Sequence, residues 1–156
     1  MRRLDFTLLS NILVAVDESE DSNKVLNFAL DIAEKFSSAI TILNVSEVLA
    51  TGAIPQESTN YSMGNTGIFA KDLRKMHEEI LSNAVILSKT CKPALVVSSL
   101  LREGEPALEI VKVASEGNFD AVVVGHKGSG GLSERFLGSV SEKVAHLATC
   151  PVIIVK

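Results

Sequence analysis

Five short apolar runs constrain this chain more than any other feature. They are Asn11–Val16 (NILVAV), Ala39–Val45 (AITILNV), Ala94–Leu101, Asp120–Gly125 (DAVVVG) and Pro151–Val155. Their hydrophobicity is continuous rather than alternating, as in strands covered on both faces. Between them the apolar spacing changes to that of helices. From Asn23 to Phe36, Val25, Phe28, Ala29, Ile32 and Phe36 share one face. From Ile68 to about Lys89 the face carries Leu73, Met76, Ile80, Ala84 and Leu87. Glu105–Ser115 has Pro106 in its first turn, where proline is tolerated. Ser139–Ala148 lines up Val140, Val144, Leu147 and Ala148. The order β-α-β-α-β-α-β-α-β predicts a mainly parallel sheet between helix layers.

With 156 residues and neither an internal repeat nor a linker, the expectation is one domain over 1–156. A 46% hydrophobic and 22% charged composition is that of a globular chain. The net charge of -4, the single Tyr and the absence of Trp give no drive toward nucleic acid. Ile12–Val16 runs straight into Asp17 and Glu18, and no stretch approaches the length needed to span a bilayer. Cys91 and Cys150 form no CxxC or zinc spacing, so a reducing, cytoplasmic compartment is expected, with both cysteines as packing residues. Ser46–Thr66, rich in Gly, Pro, Ser, Thr and Asn, reads as a long loop.

In open parallel sheets ligands bind beyond the carboxyl ends of the strands, where strand order reverses. An order of 3-2-1-4-5 would bring Asp17, after the first strand, beside the glycine loop that starts at Gly125 after the fourth. That loop has the chemistry of an anion cradle. Its glycines permit close backbone approach, and Gly138-Ser139 opens a helix whose free N–H groups favour phosphate. Ser139 and Ser141 add hydroxyls, and Lys127 and Arg135 add charge. No GxxxxGK[ST] occurs, and a dinucleotide GxGxxG would follow the first strand, not the fourth. Blander readings compete. Ser139-x-x-Glu142 also spells a capping box, Asp17 also suits a turn, and the loop also suits a plain connector. His126 suits a solvated loop position, and His77 and His146 suit structural positions on helices.

The spacing Gly125-x2-Gly128-x9-Gly138-Ser139 resembles the nucleotide-binding signature of the universal stress protein family, in its ATP-binding branch. The resemblance extends over nearly the whole chain, through NILVAVD, ITILNV, REGEPALEIVKVA, DAVVVGHKG and PVIIVK. It implies an α/β fold: a three-layer, open, twisted, parallel five-stranded sheet of order 3-2-1-4-5, Rossmann-like and similar to the adenine nucleotide α-hydrolases. It implies ATP, or ADP or AMP, as ligand, with Mg2+ or Mn2+ able to bridge the phosphates. Asp17 would meet the ribose and the main chain of Val45 the adenine, while Val124 and Gly125 line the nucleoside pocket. Gly128, Gly138, Ser139, Val140 and Ser141 would surround the phosphates. Ala15 departs from relatives that carry proline two residues before the aspartate, so the adenine wall differs here. The resemblance also implies a homodimer through the last strand, which as an unpaired apolar edge would be an aggregation liability. The function implied is a nucleotide-dependent regulatory switch in stress response. A slow ATP hydrolase or phosphotransferase is the alternative, although no general base or metal cluster is evident.

Overall fold

The structure, a computed structural model, describes residues 9–47, 66–127 and 137–156, with the side chains of 66–69 outside that description. Among the described residues nine elements alternate. They are β1 (Asn11–Ala15), α1 (Ser22–Phe36), β2 (Ala39–Ser46), α2 (Thr66–Cys91), β3 (Val97–Glu103), α3 (Pro106–Glu116), β4 (Ala121–Gly125), α4 (Ser139–Leu147) and β5 (Val152–Val155). The five strands form one parallel sheet in the order β3-β2-β1-β4-β5, as expected.

The uninterrupted apolar runs are explained by two cores, one on each face of the sheet. Ile12, Val14, Ile40, Ile42 and Val123 pack against Val25, Leu26, Ala29 and Leu30 of α1 and Leu81 and Ala84 of α2. Leu13, Leu43, Val122 and Val124 point the other way, onto Ala107, Ile110 and Val113 of α3 and Val144 of α4. Alternate residues of each strand thus serve opposite cores, and neither face is left polar. Each fully buried Val, Leu or Ile contributes about 1.5–3 kcal/mol relative to exposure.

Several local expectations are adjusted. The third strand starts and ends later than the apolar run suggests, at Val97 and Glu103, because Ser98, Ser99 and Arg102 can stand exposed on an edge strand. The buried stripe of α2 is His77, Leu81, Ala84 and Ser88, whereas Met76 is 40% exposed. The polar members of that stripe are internally bonded. His77 pairs with Asn44, and the Ser88 hydroxyl donates to the Ala84 carbonyl at 2.7 Å. Cys91 is exposed at the end of α2 rather than packed, while Cys150 is half-buried against the second core, where burial pushes its thiol pKa up. Strand β2 runs on through Ser46 and α2 already includes Thr66; the remainder of the expected loop, 48–65, lies outside the described residues.

The two ends of the sheet differ. At the amino ends the Asp120 carboxylate accepts from the N–H groups of Ser10 and Asn11 at 2.8 and 2.9 Å, tying β1 to β4. At the carboxyl ends a cleft opens among the described residues. Among the described residues, no helix is long and apolar enough to cross a membrane.

Candidate functional site

The cleft encloses about 620 Å³ and is bordered by the ends of β1, β2 and β4, the middle of α2 and the start of α4. That is the size range of small-molecule sites. Ala15, Asp17, Val45, Val124, Gly125, Gly138, Ser139, Val140 and Ser141 all line it. Nine of the ten residues expected at a site are therefore gathered here; the tenth, Gly128, lies outside the described residues.

Unequal strand lengths create the β2 wall. The β1–β2 ladder ends at Ala15 opposite Leu43, and the Val16 N–H then donates to the Leu43 carbonyl at 2.9 Å. Main-chain groups alternate sides along a strand. Those of Val45 therefore project toward β1, as those of Leu43 do, but β1 has already turned away. Among the described residues no main-chain group pairs with the amide and carbonyl of Val45 on that side, and Val45 lines the cleft.

The turn after β1 places Asp17 at the rim. Its Oδ1 accepts from the Ser19 amide at 3.0 Å and from the Ser19 hydroxyl at 2.5 Å, and its own N–H donates to Ser22 Oγ at 3.0 Å. Asp17 thus serves the turn, and it lines the cleft as well. Gly125 sits where a Cβ would come within 3.2 Å of the Lys127 carbonyl and 3.3 Å of Val25. The chain passes too close to α1 there to carry a side chain comfortably.

Helix α4 supplies the opposite wall. The His126 carbonyl accepts from the Gly138 amide at 2.7 Å, which holds the two ends of the glycine loop together. Gly138 is the N-cap, with φ -65° and ψ 154°, and offers no side chain to the helix. This overturns the capping-box reading: Ser139 is the first helical residue, not the cap. The first intrahelical bond runs from the Glu142 amide to the Gly138 carbonyl at 2.9 Å. The N–H groups of Ser139, Val140 and Ser141 precede it and find no acceptor among the described residues. They point out of the positive end of the helix dipole, the usual seat of an anion. The Ser141 hydroxyl is turned inward, toward the carbonyls of Gly138 at 2.9 Å and His126 at 3.2 Å, so this residue offers the cleft only its N–H. Ser139 stands exposed, with its hydroxyl available.

Asp17, Glu18 and Glu47 give one part of the lining an acidic character, and Lys127 is the one cation among the described lining residues. Among the described residues, no group of three His, Cys, Asp or Glu side chains is placed to hold a metal ion.

One lining residue has, in the sequence, the marks of a merely structural position. His77, 7% exposed, enters the cleft wall from α2, and its Nδ1 lies 2.7 Å from Asn44 Oδ1. Asn44 Nδ2 in turn donates to the Val16 carbonyl at 2.8 Å. The only sequence signal was a polar residue within each apolar pattern, at Asn44 in β2 and at His77 in α2.

The chain matches the model of the universal stress protein family over residues 9–156. It is 33% identical over 159 residues to the universal stress protein YxiE of Bacillus subtilis, an alignment covering 96% of this chain and all of that one. Among solved structures it resembles a universal stress protein of Archaeoglobus fulgidus in complex with dAMP, at 27% identity and a TM-score of 0.62, covering 96% of this chain and 99% of the other. It also resembles a universal stress protein in complex with cAMP, at 25% identity and a TM-score of 0.65, covering 94% and 96%.

Proposed function

The chain belongs to the universal stress protein family, and from that premise we propose that it binds ATP, or ADP or AMP, in the cleft at the carboxyl ends of β1, β2 and β4. The observation that carries this reading is the pairing of two unlike walls across one cavity. On the α4 side three main-chain N–H groups have no acceptor among the described residues, and on the β2 side the amide and carbonyl of Val45 have no main-chain partner among them. A nucleotide has complementary ends, an anionic phosphate chain and a base edge with neighbouring donor and acceptor. The dAMP and cAMP complexes of the two similar proteins support the same class of ligand.

In this reading the N–H groups of Ser139, Val140 and Ser141, with the Ser139 hydroxyl, hold the phosphates together with Gly138 and Gly128. Lys127 adds a neutralising charge nearby. Asp17, already oriented by Ser19, accepts from the ribose hydroxyls. Val124 and Gly125 form the floor beneath the nucleoside, and Ala15 and Val45 form the wall beside the base. A divalent ion such as Mg2+ or Mn2+ would take its ligands mainly from phosphate and water, as Mg2+ commonly does.

Binding at a junction of β1, β2, β4, α2 and α4 lets the nucleotide bias the relative positions of those elements. The function proposed is therefore a nucleotide-dependent regulatory switch in stress response. Its working unit is a homodimer through β5, an edge strand whose outer main-chain groups have no neighbouring strand among the described residues. Calorimetry of the purified protein should show saturable ATP binding. An absence of heat at millimolar nucleotide, confirmed by an unshifted melting temperature, overturns the reading.

A further inference from the structure

We propose that His77 reads the 6-position of the purine together with the Val45 main chain, accepting at Nε2 a hydrogen bond from the exocyclic amino group of adenine. The inference rests on the nucleotide reading above and goes beyond it, from the class of ligand to the choice of base.

The proton positions follow from a short relay. The Val16 carbonyl can only accept, so the Asn44 side chain must turn its Nδ2 toward it, at 2.8 Å. That orientation leaves Asn44 Oδ1, an acceptor, 2.7 Å from His77 Nδ1. Nδ1 must therefore carry the proton. In the neutral imidazole Nε2 is then a bare acceptor. Nε2 has no partner among the described residues. Nor is it sealed off, since among the described residues Ser46 Oγ is the one buried side-chain polar atom without a partner. The opening available to it is the cleft that His77 lines.

Its place in the sheet puts His77 at the base end. The order β3-β2-β1-β4-β5 sets β2 and β4 two strand spacings apart, about 10 Å. A nucleotide with its phosphates at the start of α4, beside β4, extends its base across β1 toward β2 and α2. There it meets the open main chain of Val45. His77 is tethered to Asn44, the residue immediately before Val45, so both groups address the same part of the ligand. An amino group at the purine 6-position satisfies Nε2. A 6-oxo group sets acceptor against acceptor and leaves Nε2 unpaired. Asn44 is the positioning residue, since it fixes which ring nitrogen faces the ligand.

The test uses the 15N-labelled wild-type protein with ATP, with inosine triphosphate and with the purine riboside triphosphate that lacks a 6-substituent. Imidazole 15N spectra of the free protein should show His77 protonated at Nδ1 and bare at Nε2. ATP should move the Nε2 resonance in the direction of an accepted hydrogen bond, and the unsubstituted purine should leave it nearly in place. Inosine triphosphate should bind about tenfold more weakly than ATP, and His77→Phe should cut that preference at least about threefold, the Val45 main chain keeping the remainder. A proton on Nε2 in the free protein overturns the proposal, as does ATP binding that leaves Nε2 unmoved, or a preference for ATP that is undiminished in His77→Phe. These failures leave ATP binding itself intact. A wild-type protein that binds no ATP overturns the nucleotide reading and this proposal together.

Discussion

Replacing Asn44 by alanine tests the polar relay inside the first core. Asn44 is 1% exposed and makes two side-chain hydrogen bonds, to the Val16 carbonyl and to His77 Nδ1. Truncation removes both and strands both partners. A buried polar group left unpaired costs about 1–3 kcal/mol. His77 reaches solvent through the cleft, so its share falls at the low end, and Asn44→Ala should cost about 3 kcal/mol in all. That is a large part of the ~5–15 kcal/mol by which a domain is stable. With a urea slope of about 2 kcal/mol/M the unfolding midpoint should fall by about 1.5 M. The pairing is isolated by a double-mutant cycle with His77→Phe. In that background Asn44→Ala strands only the Val16 carbonyl, so it should cost about 1 kcal/mol less. Urea melts of the wild type, both single variants and the double variant supply all four values. A loss below about 0.5 kcal/mol for Asn44→Ala, or additivity within about 0.5 kcal/mol, would refute the relay.

Gly138→Val should leave the fold nearly unchanged, because φ -65° and ψ 154° suit valine. It should still weaken ATP binding by at least about tenfold, read by calorimetry, through loss of charge-assisted hydrogen bonds at the start of α4. Glu105 gives a pH dependence. Burial pushes its carboxyl up, but the Leu108 N–H at 2.8 Å and Lys143 at 3.1 Å outweigh that and hold it below its usual 4.5. Its contribution is thus complete above the unfolded value and disappears as pH falls through the lower, folded value. Glu105→Gln should be less stable than wild type by about 0.5–1 kcal/mol at pH 7 in urea melts, with the gap closing below pH 4.5. Finally, the β4–β5 bonds use the carbonyls of Pro151 and Val155, so by alternation the Ile154 N–H faces outward. The homodimer proposed above requires the wild type to be dimeric and Ile154→Pro a folded monomer in light scattering; a dimer that persists in the variant would place the interface elsewhere.

The sheet was legible because burial on both faces writes itself as unbroken apolar runs. Ile12, Leu13 and Val14 are each wholly buried, on alternating sides. The gathering of Asp17 with Gly138 was legible too, since it depends only on strand order. Hydrogen-bond direction was harder. Ser139 and Ser141 look alike in the sequence, but one is exposed and the other has its hydroxyl bound to two carbonyls. Likewise Ser139-x-x-Glu142 spells a capping box, but the helix starts one residue too early for Ser139 to cap it. His77 was the least legible, because its partner lies 33 positions away on β2. The apolar spacing sets the stripe of α2 through Met76 and Ile80, whereas His77 and Leu81 are buried and Met76 is 40% exposed.

The early end of β1 beside a longer β2 has an evolutionary consequence. The donor and acceptor that Val45 presents belong to the peptide unit, so every amino acid except proline would present the same donor–acceptor pair at that position. Sequences can drift there without erasing the feature. What must persist is a difference in length between two neighbouring strands, a property of register that no individual side chain encodes. A contact of this kind would survive divergence long after side-chain identities had been lost, and it would leave no mark in a comparison that scores residues one column at a time.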